Sequence, residues 1–331
     1  MRQFNLGGAW SKGTAFISQQ AANHAIILIV MGIVVPAILQ FAIIGAATGI
    51  NPMAMGPNGF DPSSTMQALA GTAALVMIVS WVLQTGSYFG SWRIGLGRDE
   101  TLGGAIVYGI ICAVLALVAF LLLVLAMVFI VGAAMQGGGA MMILLLVVAI
   151  PMLILVAALY SVIMAAMAVG MFLMFLIVMA FGASMGGANP ALAMAGQGVV
   201  GILIALVIVA LLFWLTARLS CTTSVMADRK SFNLFAGIAE SWRLTGPNQL
   251  RIMAYLGLLG IIFCVVLLVL VMILGASMMG SMSGGQVPAV GIGTQIMVLI
   301  VGIPFAYLTV LVPAGIYREL FEDTAVAEVF A

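Results

Sequence analysis

The chain has 331 residues, 65% of them hydrophobic and only 6% charged, with a net charge of +1 and a mean hydropathy of +1.33. So few charges cannot cover a water-soluble domain, and the composition points instead to a polytopic membrane protein, an all-α bundle of lipid-spanning helices. The net charge of +1 points to no nucleic-acid partner.

Residues 1–24 read as a short cytoplasmic arm, not a cleaved leader. Their apolar run starts only at Ala25 and is long enough to span a bilayer. Phe4, Leu6, Trp10, Phe16 and Ile17 are expected to rest the arm on the membrane surface, with His24 as a polar residue at the entrance to the first span.

Lys and Arg fall only within 1–24, 92–103, 218–251 and the tail at Arg318, while 49–66, 136–139, 186–197 and 279–290 contain none. By the positive-inside rule the basic segments are cytoplasmic, both termini lie inside, and the number of spans is even. Segment 104–182 holds no charge and must cross an odd number of times. One span takes about 20 residues, so three crossings are expected, near 104–131, 140–159 and 161–181, with an inner turn at Tyr160-Ser161. The total is eight spans, with six as the alternative. The phrases at 45–48, 132–135, 182–185 and 275–278 (GAAT, GAAM, GASM and GASM) then all stand at outer helix ends, where small residues cap helices and let backbones approach.

The second span carries Ser80, Gln84, Ser87 and Ser91 at i, i+4, i+7 and i+11, a polar stripe on one helical face. Two readings stay open: hydrogen bonds that join helices, or a polar pathway or headgroup pocket. Met164, Met167, Met171 and Met174 form another stripe and read as flexible apolar filler. The cysteines, Cys112, Cys221 and Cys264, lie in or beside apolar runs without CxxC spacing and read as small hydrophobes. The last span holds Gly302, Pro304, Pro313 and Gly315 and is expected to be the most bent.

Segment 218–251 is the densest polar stretch. Leu234, Phe235, Ile238, Ala239 and Trp242 recur at helical spacing, with Asn233, Glu240, Ser241 and Arg243 opposite them. An interfacial helix is expected at about 231–245, with Ser231 as N-cap and Gly246-Pro247 as the stop. Arg218, Lys230, Trp242 and Arg243 are the candidate lipid or interface contacts, because basic and aromatic groups suit an anionic headgroup layer.

A span ending Ala217-Arg218-Leu219-Ser220 leads into a polar helix that carries Ala239, Ser241-Trp242-Arg243-Leu244-Thr245-Gly246 and Asn248; another span follows. This pattern resembles a broad bacterial group that includes the membrane domain attached to some glycerophosphodiester phosphodiesterases, together with many stand-alone relatives. The tail Gly315-Ile316-Tyr317-Arg318-Glu319-Leu320 is similar as well, so the resemblance covers mainly residues 200–320. The chain departs from the pattern at Cys221-Thr222-Thr223, where relatives commonly carry a proline soon after the Arg-Leu-Ser turn. The resemblance implies a multi-pass protein of the bacterial inner membrane. It does not bring the enzyme, which needs a soluble barrel with acidic and histidine metal ligands, whereas this chain has one histidine.

The organisation expected is an arm at 1–24, one transmembrane domain at 25–317 that includes the amphipathic segment 218–251, and a tail at 318–331. The spans carry no Asp, Glu, Lys or Arg for ion coupling, and no Walker loop, nucleophile elbow or HExxH occurs. The leading expectation is a non-enzymatic protein, without cofactor or metal, that organises or binds lipids or partner proteins. A facilitator without ion coupling is the alternative, and a membrane subunit of an enzyme complex comes third. The partners expected are membrane lipids and a protein partner or second copy, with no nucleic acid.

Overall fold

A computed structural model of the chain describes residues 3–40, 62–97, 100–134, 151, 153–160, 198–282 and 292–329. Among these residues the protein is all-α, and five stretches are long and apolar enough to cross a membrane: Ala21–Gln40, Gly71–Leu96, Leu102–Ala126, Val209–Asp228 and Leu234–Val266. The elements are α1 (Leu6–Gln19), α2 (Ala21–Ala25), a π-helical stretch (Ile26–Val34), α3 (Pro62–Leu96), α4 (Leu102–Ala134), α5 (Gly198–Leu219), α6 (Thr222–Asp228), α7 (Leu234–Thr245), α8 (Gln249–Met282) and α9 (Ile292–Val329). Shorter helical stretches lie at 35–40 and 153–159.

The arm is a helix packed on protein. Asn5 caps α1 by accepting a hydrogen bond from the Gly7 amide at 3.0 Å. The helix runs antiparallel to α9: Gly8 faces Glu319, Gly13 faces the Leu311 carbonyl and Gly315 faces the Ala9 carbonyl. Absent side chains let the two backbones close together, and this opens protein surface to the arm's aromatic residues. Phe4 and Phe16 are therefore buried, Leu6 and Ile17 pack partly on the core, and Trp10 stays 42% exposed. The expectation of an arm that presents all five side chains to a membrane surface is corrected: of the five, only Trp10 is exposed.

His24 stands at the start of the first candidate span, as expected, but is enclosed by protein there. It is fully buried, its Nδ1 pairs with the Ser91 hydroxyl, and its ring lies 4.8 Å from that of Phe16. Directly after it the chain adopts i→i+5 hydrogen bonding over Ile26–Val34, a rare geometry. Pro36 lies just beyond and has no N–H to offer the Gly32 carbonyl, so an α-helical ladder would be interrupted there in any case.

Helices α3 and α4 cross where Gly86 and Gly90 meet Ala105 and Gly109. A side chain on Gly109 would run into the Gly86 carbonyl. The stretch 153–159 ends before Tyr160, which packs on α3 with its hydroxyl on Thr85 and its ring near Tyr88, while Ser161 of the expected inner turn lies outside the described residues. The other parts of 140–181 and the phrases at 45–48 and 182–185 lie outside the described residues, as does the Met164–Met174 stripe. The described part of α4 reaches Ala134, inside the phrase at 132–135, whereas α8 continues to Met282, beyond the phrase at 275–278. Helix α9 runs unbroken through Pro304 and Pro313.

Candidate functional site

A helix C-terminus buried in protein leaves carbonyls that need donors. At the end of α5 the Arg218 carbonyl accepts from the Ser241 hydroxyl at 2.8 Å and the Thr245 hydroxyl at 3.1 Å. These hydroxyls stand four residues apart on α7, hence on one face. Ser241 also accepts from the Cys221 amide at 3.2 Å. In return, the Arg218 side chain crosses to α7 and its Nη1 donates to the Trp242 carbonyl at 3.1 Å. The guanidinium lies 4.6 Å from the Trp242 ring and 5.9 Å from that of Trp214. The two rings meet edge to face at 5.2 Å, and Trp214 Nε1 donates to Gln249 at 3.3 Å.

Gly246 completes the clasp, since a methyl group there would sit 2.7 Å from Arg218 Nη1. Asn248, just past it, accepts from the Phe4 amide at 3.1 Å, and Arg251 donates to the Phe4 carbonyl and to Gln3. Arg218, Ser241, Trp242, Thr245, Gly246 and Asn248, noted above as a sequence pattern, thus hold α5, α7, α8 and the N-terminal arm together.

The short helix α6 fills the space beside the clasp. Thr222 through Ala227 are buried. Arg93 of α3 caps its C-terminus, donating from Nη1 to the carbonyls of Ala227 at 2.7 Å and Asp228 at 3.1 Å. A cation is favoured at that end of a helix. The same guanidinium pairs with Glu100, which Lys230 also approaches at 3.4 Å. Burial works against the Glu100 charge, but the hydrogen bonds and charges of Arg93 and Lys230 outweigh it and hold the carboxyl below its usual range. Lys230 has a φ of 51°, the left-handed position of a helix-ending motif in which Ser231 N bonds Met226 O and Lys230 N bonds Ala227 O. Tyr317 donates to Asp228 at 2.8 Å, Arg318 donates to the Gly95 carbonyl at 2.9 Å, and Lys12 pairs with Glu319 at 3.0 Å. The similar tail motif is therefore the strip of α9 that fastens onto α1, α3 and α6.

Helix α7 begins at Leu234, later than expected, and its cap is Asn233, which accepts from the Ala236 amide at 3.1 Å. Ser231 instead takes the Asn233 amide, because the turn that ends α6 occupies its backbone. Gly237, Ser241, Leu244 and Thr245 face the protein, with Leu234 and Ile238 half-buried beside them. The apolar set divides there: Phe235, Ala239 and Trp242, at i, i+4 and i+7, face outward, and Phe235 is 82% exposed.

Of the four candidate contacts the structure joins Arg218 and Trp242. Arg243 lies on the outside paired with Glu240 at 2.7 Å, and Lys230 turns away to Glu100. Trp214, Ser241 and Thr245 were missed. Their signal was the i, i+4 spacing of Trp214 with Arg218 and of the two hydroxyls with each other. The residues of the second-span stripe divide too. Ser87 donates to the Gln84 carbonyl at 2.7 Å and Ser91 meets His24, while Gln84 is exposed and reaches Tyr88. Ser80 is buried and has no hydrogen-bond partner among the described residues.

Cys112, Cys221 and Cys264 are free thiols. Among the described residues no three His, Cys, Asp or Glu side chains come together as a metal site would require. What the arrangement offers chemically is one guanidinium against a pair of touching indoles, beside an outward apolar stripe. No family model matches the chain, no curated protein matches it in sequence, and no solved structure matches it in fold.

Proposed function

We propose that the chain is a non-enzymatic, multi-pass protein of the bacterial inner membrane that binds or organises lipids through its charged end, with eight spans and both termini in the cytoplasm. Kinship with the phosphodiesterase-associated membrane domains belongs to the same proposal. The observation that carries it is α7: its small and polar face is tied to the protein, which leaves Phe235, Ala239 and Trp242 pointing outward. Apolar side chains flanked by Arg229 and Arg243 match the boundary between headgroups and acyl chains. A spin label introduced as Phe235→Cys in reconstituted vesicles tests this, with the labelled parent as blank. Relaxation by oxygen should exceed relaxation by a water-soluble nickel chelate. The reverse order places the stripe in water and replaces lipid with a soluble protein partner.

A second reading, a facilitator without ion coupling, draws support from Ser80 in the second span, whose buried hydroxyl lacks a partner among the described residues. Such a group costs roughly 1–3 kcal/mol, and a passing polar solute would satisfy it.

A further inference from the structure

Arg93, Arg229, Arg243, Lys12 and Lys230 each face a carboxylate. Arg218 and Arg251 face none among the described residues, and Arg251 is instead bonded to the Phe4 carbonyl and to Gln3. Among the described residues the only hydrogen bond of the Arg218 side chain runs from Nη1 to the Trp242 carbonyl, and its Nε is enclosed without a partner. Its charge is instead held against the faces of two indoles. That is sound geometry for a guanidinium, but it leaves the Nε–Nη2 edge, the edge that grips a phosphate by two parallel bonds, unused. Around this edge stand Trp242, 37% exposed, and Trp214, indoles of the kind that gather at headgroup depth.

We infer that Arg218, framed by Trp214, Trp242 and Gly246, is the receptor for the phosphodiester of an anionic membrane phospholipid. This rests on the lipid-binding reading above. The half-exposed Trp242 swings outward to uncover the Nε–Nη2 edge, and the phosphate supplies the counter-charge that the protein does not. A headgroup with net negative charge is preferred, because the ammonium of a zwitterionic lipid would be brought toward the same guanidinium. Gly246 is part of the site, since a side chain there displaces the guanidinium from its place against the rings.

The test is native mass spectrometry of the full chain from nanodiscs holding equal phosphatidylglycerol and phosphatidylcholine. The wild type should retain phosphatidylglycerol, and inorganic phosphate should not displace it. Arg218→Gln should reduce retention by about tenfold, in line with loss of a charge-assisted bidentate contact. If Arg218→Gln does not fold, Arg218→Lys and Gly246→Ala carry the test: both keep the charge, and both should weaken retention severalfold. Retention that stays unchanged in the variants overturns the site, as does equal retention of both lipids. Displacement by inorganic phosphate assigns the site to a soluble anion and also overturns the lipid assignment. A lipid-facing label at position 235 alongside unchanged retention would sink this site alone, whereas a water-facing label would sink the broader reading.

Discussion

In α3, residues 85–94 are buried without a break, yet Leu75, Met77, Ile78 and Val79 on the same helix are exposed. Helix α4 repeats the contrast, with Ala105, Tyr108, Cys112, Ala113 and Ala116 buried and Leu121, Leu122, Leu125 and Val128 exposed. In α8, Ile252, Tyr255 and Leu256 are buried while Ile261, Ile262, Val265 and Val266 are not. In each helix the buried positions thus gather toward one end, although Val107, Ile111, Val114 and Leu115 of α4 and Leu250 and Leu258 of α8 are exposed there. Lipid tails are as apolar as leucine, so exposing the outer halves carries little penalty. The charged end lacks that freedom: close approach at glycines and complete pairing of polar groups must hold it. The small and polar residues, rather than the large apolar ones, therefore specify how these helices pack.

The largest effect that could break this contrast comes from Arg93. Arg93→Gln leaves the end of α6 without its cation and Glu100 with Lys230 alone, and should destabilise the protein by about 3 kcal/mol in an SDS titration of mixed micelles. A loss no larger than that of a surface variant would show that the charged end is held by something else. Glu100 sharpens the same point through pH. Its folded pKa lies below the usual 4.5, so the contribution of the pair is complete above that value. It is lost as the pH falls through the folded pKa. The wild type should therefore weaken in acid, and in Glu100→Gln that part of the acid limb should flatten.

A middle-sized effect is expected where α3 and α4 cross. Gly109→Ala forces a methyl group onto the Gly86 carbonyl and should destabilise by roughly 1–3 kcal/mol. Leu122→Ala, on the outward half of α4, should stay within about 0.5 kcal/mol. Equal losses would erase the distinction between the halves. The smallest effect belongs to Gln84, exposed on α3. Gln84→Leu should change stability by less than about 0.5 kcal/mol and leave lipid retention intact. If it abolished solute flux through vesicles at unchanged stability, the facilitator would become the better reading.

The residues of the motifs were visible in the sequence because they break its composition. In a chain with 6% charge, a cluster such as 218–251 stands out, and Gly246-Pro247 marks the end of a helix by backbone chemistry alone. Their partners were not visible. Ser241 was assigned to the polar face of a surface helix, and only tertiary packing turned it inward to the Arg218 carbonyl, 23 residues away in sequence. The reason is that helical periodicity reports which side chains share a face, not what that face meets.

What the sequence by itself determined was the solvent and the secondary structure. Long uncharged runs can satisfy their backbone groups in lipid only by coiling into helices, and no distant contact is needed for that conclusion. The tertiary structure decided the choices between near-equal local options. Asn233 prevailed over Ser231 as the cap because the end of α6 had claimed the Ser231 amide. Phe16 prefers the surface made by α3, α9 and His24 to lipid, because glycines at 13, 95 and 315 make room for the arm to approach. Each such choice is worth only about a kilocalorie or so locally, less than packing supplies once the helices meet. It is settled by whichever neighbour arrives.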